Sequence, residues 1–216
     1  MKNVGILGSG TVATTLAGGF LKNGYKVCLG TGHPEKLNEW KTKHGENAEV
    51  ASFADTAKFS DLLVLAIKGH AALKVLEIAG KENLTGKTII DTCNPIEAAP
   101  PVNGVLKYFT NINSSLMEQM QNAFPETNFV KAFSCIGAPL MINPDFGGIK
   151  PTMFICGNSA AAKKEVTEIN TMFGFDTEDM GAVEAARAIE PLCMLWCITG
   201  LTTNVWNGHA FKMLKK

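Results

Sequence analysis

A surplus of charge of either sign is missing from this 216-residue sequence: 20 lysines and arginines meet 20 aspartates and glutamates, and the formal net charge is zero. Without a net field the chain has no general means of gathering nucleic acid or an anionic membrane surface, so neither is expected as a partner. Long apolar runs are missing too. The longest, from Pro191 to Leu201, falls far short of the roughly 20 residues that cross a bilayer. The opening MKNVGILGSGTV breaks at glycine before it builds the apolar core of an export signal, and the expectation is a cytoplasmic protein. Arginine is nearly absent, Arg187 being the only one, and four histidines supply no nucleophile–base constellation, so no catalytic side chain is assigned. The six cysteines lie in or beside apolar patterns. They read as buried free thiols rather than a disulfide framework, and the four-residue spacing of Cys193 and Cys197 reads as helix packing rather than a metal site.

What is present is core-forming material. With 46% hydrophobic and 19% charged residues the chain is globular. Short apolar runs at 3–7, 25–29, 48–50, 62–67, 88–91, 129–133, 152–156 and 175–178 alternate with helical spacing at 11–22, 34–44, 53–60, 70–80, 113–123 and 160–173. That alternation predicts an α/β fold, a Rossmann-like doubly wound parallel sheet. Residues 1–180 form its main domain. Residues 181–216 form a small C-terminal helical portion, not an independent domain, which packs across the strand ends or against a partner subunit. Its long helix, AARAIEPLCMLWCITGL, contains Pro191, which predicts a kink, and Arg187, which predicts ion pairs with Glu184 and Glu190 three residues away. Residues 92–108 and 140–151 read as long surface loops.

The first strand and helix are joined by Gly8-Ser9-Gly10-Thr11-Val12-Ala13, a G-x-G-x-x-A turn. In that setting Gly8 permits the tight turn, Gly10 lets backbone approach a pyrophosphate, and Ala13 lets helix and strand pack closely. About 20 residues on, an NAD site would offer a carboxylate to the ribose. The second strand instead runs into Thr31-Gly32-His33-Pro34-Glu35-Lys36, whose hydroxyl, imidazole and ammonium suit a 2′-phosphate and hence NADP. Lys36 and His33 also read as a solvated helix residue and a helix cap. Lys68 and His70, after the strand LLVLAI, could meet a phosphate or begin the next helix as exposed residues. Asn94 could bond the nicotinamide side or satisfy an Asn-Pro turn.

Taken in order, GILGSGTVATTLAGGF, LGT with PEKL, IIDTCNP, VKAFSCIG, MFICGNSAAAKKEV and GAVEAARAIEPL resemble the NADP oxidoreductases that use the deazaflavin coenzyme F-420, and bacterial relatives described as dinucleotide-binding enzymes. The cytosolic domain of transmembrane ferric reductases is similar as well. The resemblance implies hydride transfer between NADP(H) and a ring acceptor, either coenzyme F-420 or a flavin. It implies that Gly8, Ser9, Gly10, Thr11 and Val12 hold the pyrophosphate, that Thr31, Gly32, His33 and Lys36 surround the 2′-phosphate, and that Ala66, Ile67, Lys68 and Asn94 line the cofactor. Ser134, Cys135, Ile136, Gly137, Ala138 and Pro139 would approach the acceptor. Where relatives carry an arginine after the strand-end threonine, this chain has Gly32. A homodimer is expected. The alternative is a non-catalytic protein that senses the NADP(H) redox state.

Overall fold

The computed structural model describes residues 2–216. Its first half alternates β1 (Asn3–Leu7), α1 (Thr11–Lys22), β2 (Lys26–Gly30), α2 (Asn38–His44), β3 (Ala48–Ala51), α3 (Phe53–Phe59) and β4 (Leu62–Leu65). There follow α4 (Ala72–Ala79), α5 (Lys81–Leu84), β5 (Thr88–Asp91), α6 (Leu116–Ala123) and β6 (Asn128–Lys131). The six strands make one parallel sheet in the order β3-β2-β1-β4-β5-β6, so the chain reverses direction across the sheet between β1 and β4. This is the order of doubly wound dinucleotide-binding sheets, which bind ligands at the carboxyl edge beside that reversal.

Strand periodicity explains why the runs are apolar throughout. Val4, Ile6, Leu62 and Val64 face one side, against Leu16, Ala17 and Phe20 of α1. Leu7, Leu63, Leu65 and Ile89 face the other, against Leu76 of α4 and Met117 and Met120 of α6. Strands covered on both faces are apolar at most positions, and the buried Asp91 and Lys131 at the ends of β5 and β6 are exceptions.

The remaining elements, β7 (Thr152–Ile155), α7 (Ala160–Met172), β8 (Asp176–Asp179) and α8 (Ala186–Thr203), depart from the sequence expectation. β7 and β8 do not extend the main sheet but form a two-stranded parallel sheet of their own, touching β6 through a single antiparallel bridge between Lys131 and Cys156. A parallel neighbour needs a crossover, usually helical, and residues 132–151 contain only one short 3₁₀ turn. The chain turns at Phe133, whose φ is +57°, and its N–H meets Met153 Sδ instead of a strand carbonyl.

Arg187 is a second correction. It forms no pair along its own helix but a forked contact with Glu118 of α6, with Nε within 3.0–3.1 Å of both carboxylate oxygens. Glu190 is turned inward and buried. The loop of residues 92–108 carries a small hairpin, with Ile96 bridging Tyr108 and Val102 bridging Val105. Pro191 lies inside α8 without ending it. The tail folds back on the chain itself: Trp196 donates to His209 O, and Thr152 of β7 donates its N–H to Phe211 O.

Candidate functional site

The register of the sheet brings Leu7, Gly30, Leu65, Asp91 and Lys131 to one edge, and every residue singled out near the cofactor follows one of these strand ends. Gly8 takes φ +146°, and a Cβ there would fall 2.1 Å from Ala66 O. It is glycine because the turn after β1 lies directly on the end of β4. Gly10 is glycine for another reason. Its φ is ordinary and a Cβ would meet nothing within 4 Å, so the space above it is open.

α1 begins at that open space. Helices α3, α6 and α7 each start with a serine whose hydroxyl accepts a first-turn N–H, while α1 has Gly10 at its cap and no side-chain cap. The N–H groups of its first turn and the positive end of its dipole are therefore left for an anion. Thr31 joins the glycine turn from β2, its Oγ1 lying 3.3 Å from Ser9 Oγ and accepting His33 N–H at 3.2 Å. Gly32, His33 and Lys36 are exposed on the same loop, and His33 Nδ1 lies 3.4 Å from a Glu35 carboxylate oxygen. A Cβ on Gly32 would meet nothing within 4 Å.

Two adjoining cavities run along this edge. The first, about 430 Å³, is walled by Gly8–Val12, Phe53, Ala66, Ile67, Lys68 and Thr92. The second, about 380 Å³, shares Ile67, Lys68 and Thr92 and adds Gly69, His70, Asn94 and residues 96–98. Phe53 and Thr92 were not singled out in the sequence, although each directly follows a strand end or its turn. Gly69 was missed as well. A Cβ on it would fall 2.1 Å from Asn94 O, so its small size holds the ends of β4 and β5 together. A larger cavity of about 730 Å³ opens at the opposite edge, beside Lys2, Lys87 and α7, away from every strand-end residue discussed here.

Asn94 donates from Nδ2 to Ser134 O at 2.7 Å, and its buried Oδ1 has no partner. The predicted acceptor loop is placed differently from its cofactor-side neighbours. Ser134, Cys135 and Ile136 are buried, Gly137 packs where a Cβ would strike the Trp196 ring, and none of residues 134–139 lines either cavity. Burial pushes the Cys135 thiol up to about 12, so it is protonated and inert near neutrality. Cys193 and Cys197 lie 3.9 Å apart at sulfur, and all six cysteines are free. Among the described residues no three metal-ligating side chains gather.

The doubly wound sheet, the uncapped α1 and the edge cavities have the form of a dinucleotide-binding fold. Comparison with known proteins narrows this. Residues 3–95 match the family of coenzyme F420-dependent NADP oxidoreductases. The crystal structure of a candidate F420-dependent NADP reductase from Arthrobacter sp. FB24 is 31% identical, with all of both chains covered and a TM-score of 0.91. The chain belongs to this family. Metalloreductase STEAP3 of Rattus norvegicus is 28% identical over 190 residues, which is 88% of this chain but 36% of that protein. Metalloreductase STEAP2 of Homo sapiens is 25% identical over the same length, so the chain spans a little over a third of these curated relatives. A reductive aminase from Aspergillus terreus, solved with NADPH4, cyclohexanone and allyl amine, shares the fold at a TM-score of 0.67 and 17% identity, over 94% of this chain and 63% of that one. Among the described residues no helix is long and apolar enough to cross a membrane.

Proposed function

We propose that this protein moves a hydride between NADP(H) and a ring acceptor, either a deazaflavin such as coenzyme F-420 or a flavin. The observation that carries the reading is the adjoining pair of cavities, which share Ile67, Lys68 and Thr92 and reach from the uncapped start of α1 to Asn94. The open space at Gly10 and Gly32 and the unpartnered Asn94 Oδ1 fit a dinucleotide laid along this edge. NADPH, when bound, supplies the hydride, and the residues of the chain bind and orient. The first turn of α1 holds the pyrophosphate. Thr31, His33 and Lys36 receive the 2′-phosphate, Ala66, Ile67 and Lys68 form the wall, and Asn94 accepts from the carboxamide. Transfer between two rings requires stacking and exclusion of water rather than an acid–base pair.

Thermal unfolding against NADPH, NADP, NADH and NAD tests the binding half. A ligand held only by the folded state at 100 times its dissociation constant stabilises by about 2.7 kcal/mol. A shift with the phosphorylated forms, followed by NADPH oxidation with coenzyme F-420 or a flavin, is the expected result. Binding without turnover of any ring acceptor would leave redox sensing in its place, and no shift with any of the four would remove the reading. The homodimer is part of the same proposal, supported by exposed Leu195 and Leu201 on α8 and Val205 and Trp206 just beyond it. Sedimentation as a monomer across working concentrations would refute it.

A further inference from the structure

Beneath the second cavity lies a charged cluster that touches neither cavity. Lys131, the last residue of β6, is fully buried, with Nζ 2.5 Å from Asp91 Oδ2 and 2.9 Å from Glu190 Oε1. The same Nζ donates to Cys93 O at 2.9 Å, and Asp91 Oδ1 accepts Cys93 N–H at 2.9 Å. Glu190 of α8 accepts the N–H groups of Leu116 and Met117 at 3.0 and 3.1 Å, which caps α6, and its backbone carbonyl receives the Tyr108 hydroxyl at 2.8 Å.

Buried ion pairs are poor devices for stability alone, since apolar side chains of similar volume often serve as well or better. The position of this one is informative. Its charges hold both peptide groups of Cys93, and the next residue is Asn94. Asn94 is tied to Ser134 O through Nδ2, while its Oδ1 and the Ser134 Oγ are buried without partners. A buried acceptor left unpaired costs stability, so one kept at a cavity wall points to a donor on a ligand.

We infer that Lys131 is a positioning residue for the nicotinamide end of the site. By bracing Cys93 together with Asp91 and Glu190, it fixes Asn94 so that Oδ1 is left to accept an N–H from a primary carboxamide. Through Glu190, the placement of α8 and of the start of α6 acts on the same residue. The inference rests on the NADP(H) reading above and adds what holds its amide-reading group in place.

The test compares NADP with adenosine 2′,5′-bisphosphate, which carries the adenine half alone and no carboxamide, each titrated by calorimetry into the full chain. Wild-type protein is measured first, and failure to bind either ligand would overturn the dinucleotide reading and this inference with it. Lys131→Met and Asn94→Ala are each expected to weaken NADP about tenfold, the worth of one buried hydrogen bond, while leaving the bisphosphate within about twofold. The double variant should bind NADP no worse than either single one, because both remove the same contact. Equal weakening of both ligands, unchanged NADP affinity, or additive losses in the double variant would each overturn the inference with NADP binding itself intact. If circular dichroism shows Lys131→Met unfolded, Asp91→Asn decides. It keeps an oxygen for Cys93 N–H but sets an amide against the ammonium, and it should weaken NADP selectively. Unchanged NADP affinity there would overturn the inference.

Discussion

Gly8 and Gly10 stand two residues apart in one motif, yet they answer to different neighbours. At Gly8 a methyl group meets Ala66 O at 2.1 Å on a backbone with φ +146°, so Gly8→Ala should cost at least about 2 kcal/mol of folding stability in urea titrations. At Gly10 nothing lies within 4 Å, and Gly10→Ala should cost about 1 kcal/mol or less while weakening NADP at least about tenfold. Gly32 has the same open space and no positive φ. Gly32→Arg should therefore fold normally and, by adding a planar fork of donors, raise the preference for NADP over NAD about tenfold in paired affinity measurements. The thiols divide similarly. Cys135 is pushed up to about 12 by burial, whereas the hydrogen bond from Cys193 holds the Cys197 thiol below its ordinary value. Iodoacetamide at mildly alkaline pH should thus alkylate Cys197 first in the native protein, with peptide mapping as the check. The glycine motif was legible in the sequence. The separate reasons for its glycines were not, because one is a contact with a strand 58 residues away and the other is empty space.

At the scale of elements, α6 and α8 are joined twice, once at the surface and once in the core. The surface link is Arg187 on Glu118, and that guanidinium, aided by Ser115, holds the Glu118 carboxyl below its usual range. A carboxyl depressed on folding contributes stability above its unfolded value, and that stability is lost as pH falls through the folded one. Wild-type protein should therefore lose more stability than Arg187→Met between about pH 5 and pH 3, by a small margin because water screens the pair. The core link is Lys131 on Glu190 and Asp91. For Lys131 burial favours the neutral amine, but the two carboxylates overcome it and raise its pKa, so it stays charged. Lys131→Met leaves two buried carboxylates without a cation and should cost about 3–5 kcal/mol in urea. The sequence placed Arg187 and Glu190 together on one helix, and helical spacing suggested a pair along it. α6 lies too far off in sequence for any local pattern to show that it presents Glu118 to one and its free N–H groups to the other.

For the whole molecule, alternating apolar runs and helical spacing were enough to determine an α/β chain with a parallel sheet and a glycine-rich turn between β1 and α1, because both signals are local: the period of side-chain burial, and glycines at a strand-to-helix junction. The residues of the proposed cofactor site were open to sequence reasoning for the same reason, as each follows a strand end. Only the tertiary structure decided that β7 and β8 leave the main sheet, since that depends on the missing crossover between residues 132 and 151 and on the turn at Phe133. It also decided that Gly137 packs against Trp196 while none of residues 134–139 lines the cavities, and that a lysine on a strand becomes the buried hub of two carboxylates. The last two outcomes depend on contacts between residues 40 to 59 apart, and no periodicity within one segment records which distant side chain will complete it.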